Sequence, residues 1–216
     1  MIFADRADAG RRLAASLARY RDRHPVVLAL PRGGVPVAAE IAAALGAPLD
    51  LVLVRKIGLP WHPELAIGAV VDGAHPIVVR NEGVIRSAEV GAAEFDRVCQ
   101  EELREIERRR ARYLGARARA PLAGRTVIVV DDGIATGATM KAALRAIRQH
   151  RPKTLVLAVP VAPADTVDEL RPEVDDLVCL AMPEPFGAIG YFYEDFRQVD
   201  DEEVVAVLAR FPVGGE

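Results

Sequence analysis

Short apolar runs alternate along this chain with stretches whose apolar residues recur every three or four positions, a pattern that predicts strands separated by helices. Residues 26–30, 51–54, 127–130, 154–159 and 176–181 read as buried strands. Helical spacing marks residues 6–21 through Ala9, Leu13, Leu17 and Tyr20, and residues 140–150 through Met140, Ala143, Leu144 and Ile147. Further helices are expected at 35–45, 163–170 and 200–210. Strands that alternate with helices give an α/β fold, a mostly parallel open sheet with helices on both faces. Asp72-Gly73 between 66–71 and 76–80 predicts a short hairpin, whereas 57–64, with two prolines and a glycine in a row of eight, predicts an exposed loop. Residues 87–118 are dense in Glu and Arg around Phe95, Val98, Ile106 and Tyr113, and read as a long charged helix inserted near the middle of the chain.

Composition narrows the field. At 216 residues and 51% apolar content the chain can bury one substantial core, here taken as residues 1–181 with the helical insertion, followed by a small appendage at 182–216. The net charge of −3 disfavours nucleic acid or a membrane surface as partner, and no apolar run approaches a bilayer span, so a cytoplasmic protein is expected. The arginines at 108, 109, 110 and 112 follow Glu101, Glu102, Glu105 and Glu107, which suits a solvated face or a subunit contact better than RNA. Cys99 and Cys179 stand alone, without metal-ligand spacing, and neither Ser16 nor Ser87 sits in a nucleophile elbow.

The chemistry concentrates in Val127-Ile128-Val129-Val130-Asp131-Asp132-Gly133-Ile134-Ala135-Thr136-Gly137-Ala138-Thr139. Three valines and an isoleucine suit a central parallel strand, and the carboxylates then fall at its carboxyl end, where open α/β sheets bind ligands. Gly133 and Gly137 allow a tight turn, Thr136 and Thr139 add hydroxyls, and the following helix offers its amino terminus to an anion. Neither the Walker string nor the dinucleotide fingerprint occurs. A plain strand-to-helix turn with solvated aspartates would explain a lone Asp-Asp pair; the complete string points instead to a phosphate held beside a vicinal diol, the two groups a ribose 5-phosphate presents.

Those thirteen residues resemble the phosphoribosyl pyrophosphate (PRPP) motif of the type I phosphoribosyltransferases: four apolar residues, two acids and a Thr-Gly-x-x-Thr loop. The resemblance implies that Asp131 and Asp132 hold the ribose hydroxyls, directly or through Mg2+, and that Gly133, Ile134, Ala135, Thr136, Gly137, Ala138 and Thr139 wrap the 5-phosphate. Ala135 stands where some purine-salvage members carry an acid, so that role is not carried over. Arg32, Gly33 and Gly34, after the first strand, look like the family's pyrophosphate loop, often built on an unusual cis peptide, and Arg55 and Lys56 end the next strand as further pyrophosphate contacts. Residues 57–64 are either a lid or a static loop. The appendage at 182–216 looks like the family's hood over the nucleobase, with Phe186 as base stacker or as mere packing. A homodimer is expected from the family. The implied function is transfer of the 5-phosphoribosyl group of PRPP to a nitrogen acceptor, a small heterocyclic base, with release of pyrophosphate; the alternative is a non-catalytic sensor of PRPP or a nucleotide. On this reading Asp132→Asn leaves the fold intact and lowers turnover.

Overall fold

The computed structural model describes residues 2–59, 61–73 and 76–211, residues 63 and 64 by backbone alone. In chain order it places α1 (Arg6–Ser16), β1 (Val26–Ala29), α2 (Gly34–Leu45), β2 (Leu49–Leu51), β3 (Val54–Leu59), β4 (His62–Val71), β5 (Ile77–Arg80), α3 (Glu82–Ser87) and α4 (Ala92–Leu114). Then follow β6 (Thr126–Val130), α5 (Ala138–Gln149), β7 (Thr154–Val161), α6 (Ala164–Leu170), β8 (Asp176–Ala181) and α7 (Asp201–Ala209).

Five strands form one parallel sheet in the order β2-β1-β6-β7-β8. Its strands are apolar throughout because both faces are covered. Side chains alternate across the sheet: Val27, Ala29, Ile128, Val130, Val156 and Ala158 pack with α1, α2 and α7, whereas Val26, Leu28, Val127, Val129, Leu155 and Leu157 pack with α5 and α6. Gly10 lets α1 lie close on α2, where a methyl group would come within 2.6 Å of the Val37 carbonyl oxygen. The strand order reverses between β1 and β6. Because β1 runs into α2 on one face and β6 into α5 on the other, the loops at their carboxyl ends part and leave a crevice there.

Two expectations for 51–64 are corrected. The strand expected at 51–54 divides: β2 ends at Leu51, Val52 N still donates to Ala29 O at 3.0 Å, and the chain then leaves the sheet to begin β3 at Val54. Residues 57–59 and 62–64 are not irregular but belong to the facing strands of an antiparallel pair, β3 and β4, in a second sheet ordered β3-β4-β5. The residues that argued against regular structure are absorbed as irregularities: register shifts fall on either side of Gly58, and Pro60 lies outside the described residues. The hairpin expected around Asp72-Gly73 is β4–β5. The charged segment forms α4, which packs on β3.

After β8 the chain returns to its own beginning. Phe3 N donates to Phe192 O at 2.8 Å and Glu194 N to Phe3 O at 2.9 Å, and the rings of Phe3 and Tyr193 lie 5.4 Å apart. The carboxyl-terminal segment is thereby fixed beside α1, next to the crevice.

Candidate functional site

The loops after β1 and β6 touch. A methyl group on Gly33 would lie 2.0 Å from Asp132 Oδ2, and one on Gly34 would lie 2.8 Å from Val130 O and 3.0 Å from Asp131 Cα. Gly33 has ordinary helical dihedrals, φ −60° and ψ −36°, so it is the close approach and not the backbone conformation that demands glycine here. The Pro31–Arg32 peptide is cis. Gly33 and Gly34 therefore meet Asp132 and Asp131 at the switch point of the sheet.

The two carboxylates have different surroundings. Asp132 is buried, and its Oδ2 accepts from Arg6 Nε at 2.7 Å. Arg6 Nη1 also donates to Arg197 O at 2.7 Å, and its guanidinium lies 4.0 Å from the centre of the Phe196 ring. Tyr193 completes the arrangement by donating its hydroxyl to Asp132 O at 2.5 Å; burial, and then the charge on Asp132, pushes its pKa far up, so it stays a donor. Among the described residues no cation pairs with Asp131 in this way. Its Oδ1 accepts from Asp132 N at 2.9 Å, yet burial and the neighbouring Asp132 charge hold its pKa well above the ordinary carboxylate range. Of the two adjacent acids, Asp132 alone is paired with a cation among the described residues.

The loop from Gly133 to Thr139 divides in use. The Ile134 amide donates to Val161 O at 3.0 Å and its side chain is buried, so Ile134 anchors the loop and has no amide left for an anion. Gly133 abuts Ile189, 2.6 Å from where a methyl would sit. Ala135 O accepts from the Thr166 hydroxyl at 2.8 Å, which holds the far wall. Ala135, Thr136, Ala138 and Thr139 are exposed, and Gly137 adopts a left-handed φ of 71° just ahead of α5. The first amides of a helix have no intrahelical partner, so Ala138, Thr139 and their neighbours open an anion-ready amino terminus.

The remaining expected residues are less uniform. Arg32 lines a cleft of about 340 Å³ with Arg6, Asp132 and Phe196, its Nη1 3.7 Å from Asp201 Oδ1. Asp201 is held below the usual carboxylate range by the Tyr113 hydroxyl, helped by Arg112 and Arg32. Arg55 and Lys56 line different cavities, because successive strand residues point to opposite faces. Arg55 Nε donates to Glu102 at 2.6 Å and lines a small cavity beside Pro31, Arg109 and Thr139; Lys56 lines a separate cleft of about 370 Å³ with Thr139, Lys141 and Arg145. Phe186 packs on Phe192, ring centres 5.4 Å apart, while Phe196 is the ring that lines the cleft beside Asp132. Arg6, Tyr193 and Phe196 escaped sequence reasoning, and so did Arg109. For Arg109 a signal existed: it lies three residues after Ile106 and four before Tyr113, on the apolar stripe of α4.

Residues 2–193 match the family model described as "Phosphoribosyl transferase domain". The chain belongs to this phosphoribosyl transferase family. The expected architecture, a mostly parallel sheet with helices on both faces, is the one observed. A Mycobacterium tuberculosis protein named "Putative phosphoribosyl transferase Rv0571c" is 49% identical over 209 residues, 97% of this chain and 47% of that protein. The chain thus spans about half the length of the curated relative it matches. The crystal structure of TT1426 from Thermus thermophilus superposes with a TM-score of 0.87 at 42% identity, over 98% of this phosphoribosyl transferase chain and 100% of that one. Among the described residues no helix is long and apolar enough to cross a membrane.

Proposed function

We propose that this phosphoribosyl transferase moves the 5-phosphoribosyl group of PRPP to a nitrogen acceptor, a nucleobase or related heterocycle, and releases pyrophosphate. The observation that carries the reading is the contact of Gly33 and Gly34 with Asp131 and Asp132, which brings an arginine-bearing loop and an acid-bearing loop to one crevice. In this reading Ala135 to Thr139 hold the 5-phosphate, Asp131 and Asp132 take the ribose hydroxyls, and Arg32, with Arg55 and Arg109 behind it, faces the pyrophosphate. The anomeric C–O bond breaks as the C–N bond forms, and the acceptor gives up its proton. Positive charge develops on the ribose in the transition state, so the chain's work is placement and electrostatics and needs no covalent nucleophile.

The donor set fits Mg2+ brought in with PRPP. Asp131 and Asp132 are adjacent acids, Arg6 pairs with Asp132, and burial first and then the Asp132 charge raise the proton affinity of Asp131. Among the described residues no cluster of three His, Cys, Asp or Glu could hold the ion alone, which suits a metal that keeps phosphate and water ligands. When bound, the ion would neutralise pyrophosphate as it leaves. For the acceptor side of the cleft, Phe196 and not Phe186 is the ring that lines it.

One observation favours the second reading, a PRPP or nucleotide sensor without turnover: the Asp132 carboxylate is already engaged by Arg6. Incubation with magnesium, PRPP and a panel of bases, with pyrophosphate as readout, decides between them. Transfer predicts base-dependent pyrophosphate release. A sensor predicts PRPP binding without release.

A further inference from the structure

Arg32, assigned above to the pyrophosphate, has a fixed backbone and a lightly held side chain. Val35 N donates to Arg32 O at 3.2 Å as α2 begins. The guanidinium meets one acid among the described residues, Asp201 at the start of α7, with Nη1 3.7 Å from Oδ1. At that distance the charges attract without a hydrogen bond, so the donors of the fork stay available to a ligand. Gln198 and Val199, just ahead of α7, line the same cleft as Arg32.

Asp201 is itself held from the other side, by the last turn of α4. The Tyr113 hydroxyl donates to its Oδ1 at 2.6 Å and Arg112 Nε to its Oδ2 at 2.9 Å. Tyr113 is buried, and burial, with the bond to Asp201, pushes its pKa up to about 12, so it keeps donating at neutral pH. The carboxylate therefore has a place that does not depend on Arg32. Tyr113 first, against burial, and then the charges of Arg112, Arg32 and Arg109 keep Asp201 ionised. Three guanidiniums thus share the field of one carboxylate. Two of them have a second anchor, Arg109 in Glu105 at 2.8 Å and Arg112 in Glu202 at 2.6 Å. Without the Asp201 charge the three would repel one another, and Arg32, with no second acid among the described residues, is the one that would move away.

The leaving group gathers negative charge as the anomeric bond breaks, and a cation stabilises that charge best when it is already in place. The repulsion of pyrophosphate by Asp201 itself is offset by Arg112, which pairs with it, so placement is the larger effect. We propose that Asp201 is a positioning residue for the pyrophosphate end of the site, aiming Arg32 at the leaving group from a mount built by α4 and α7. The inference rests on the transferase reading of the crevice.

Calorimetric titration of the full chain with PRPP and with ribose 5-phosphate, each with magnesium, tests this. Ribose 5-phosphate presents the groups assigned to the Ala135–Thr139 loop and the paired acids, and has no pyrophosphate. Asp201→Asn keeps the size of the side chain and an acceptor for Tyr113, so it should weaken PRPP by roughly fivefold or more and leave ribose 5-phosphate within about twofold. In an Arg32→Met background the same substitution should change PRPP affinity less than about twofold, because a residue that acts through Arg32 then has nothing to act on. Equal loss of both ligands would make the role merely structural. Unchanged or tighter PRPP binding would make the carboxylate a bystander or an obstacle, and a further loss in the Arg32→Met background would show a route other than Arg32. Each of these overturns the proposal while wild-type PRPP binding leaves the transferase reading standing; a wild-type chain that binds neither ligand would defeat both.

Discussion

Replacing Gly33 by alanine puts a methyl group where the Asp132 carboxylate already is. The new carbon would lie 2.0 Å from Oδ2, 2.5 Å from Cγ and 2.9 Å from Oδ1. The carboxylate must retreat by roughly 1.5 Å to regain van der Waals distance. That movement stretches the 2.7 Å bond from Arg6 Nε past hydrogen-bonding range, and both partners are buried. Overpacking of this kind costs about 1–3 kcal/mol, and the weakened buried ion pair pushes the figure to the upper end. In a chain of this size each kcal/mol moves the Tm by about 2–4 °C, so the expected fall is roughly 4–12 °C. Thermal unfolding followed by circular dichroism measures it, with Gly91→Ala as control, because nothing lies within 4 Å of a methyl at that position. A Gly33→Ala protein that melts with the wild type would show that the two loops do not meet as described. The same substitution should weaken PRPP binding, since it displaces an acid assigned to the ribose.

Asp131 binds its proton more tightly folded than unfolded, so its contribution to stability falls as pH rises from the unfolded value toward the raised folded one. Asp131→Asn should therefore raise the Tm at neutral pH and flatten its decline with pH, even as it removes ribose binding; a lower Tm at neutral pH would contradict the assigned cause. Asp132→Asn should lower turnover at least tenfold with the fold kept, and it should also lower the Tm, because it leaves the Arg6 guanidinium buried without its counter-ion. Arg6→Met/Asp132→Asn should recover much of the lost Tm and none of the turnover, whereas recovery of both would remove Asp132 from the site. Asp176 is depressed below the ordinary carboxylate value: burial opposes this, and the hydrogen bonds from Tyr20 and Arg19 outweigh it. Its stabilisation is present above the unfolded pKa and lost as pH falls through the folded one, so below about pH 4 the wild-type Tm should fall more steeply than that of Asp176→Asn.

What can be read from the sequence is local. The apolar run at 127–130, the twin acids and the Thr-Gly turn sit within thirteen residues, and their geometry follows from one strand and one helix start. The β3–β4 hairpin is hidden because its proline and glycine content outweighs any alternation at short range, and only pairing across the hairpin reveals Gly58 as an irregularity in a strand. The setting of Asp132 is out of reach for another reason. Arg6 is 126 positions away and Tyr193 is 61, and nothing in the local pattern of either marks it as a partner. Neighbouring prolines and a glycine favour Phe186 over Phe196 in the sequence, whereas burial against Arg6 decides which ring reaches the crevice.

The central claim is that the loop from Ala135 to Thr139 grips the phosphate of PRPP while the paired acids hold its ribose. Equilibrium dialysis with labelled PRPP and magnesium tests it most directly, on the wild type and on Gly137→Ala. In that variant a side chain meets a left-handed φ of 71° and would crowd Thr166 at 2.9 Å. The account predicts one saturable PRPP site per wild-type chain and at least tenfold weaker binding in the variant. Absence of saturable binding to the wild type, or equal affinity in the two proteins, would contradict it.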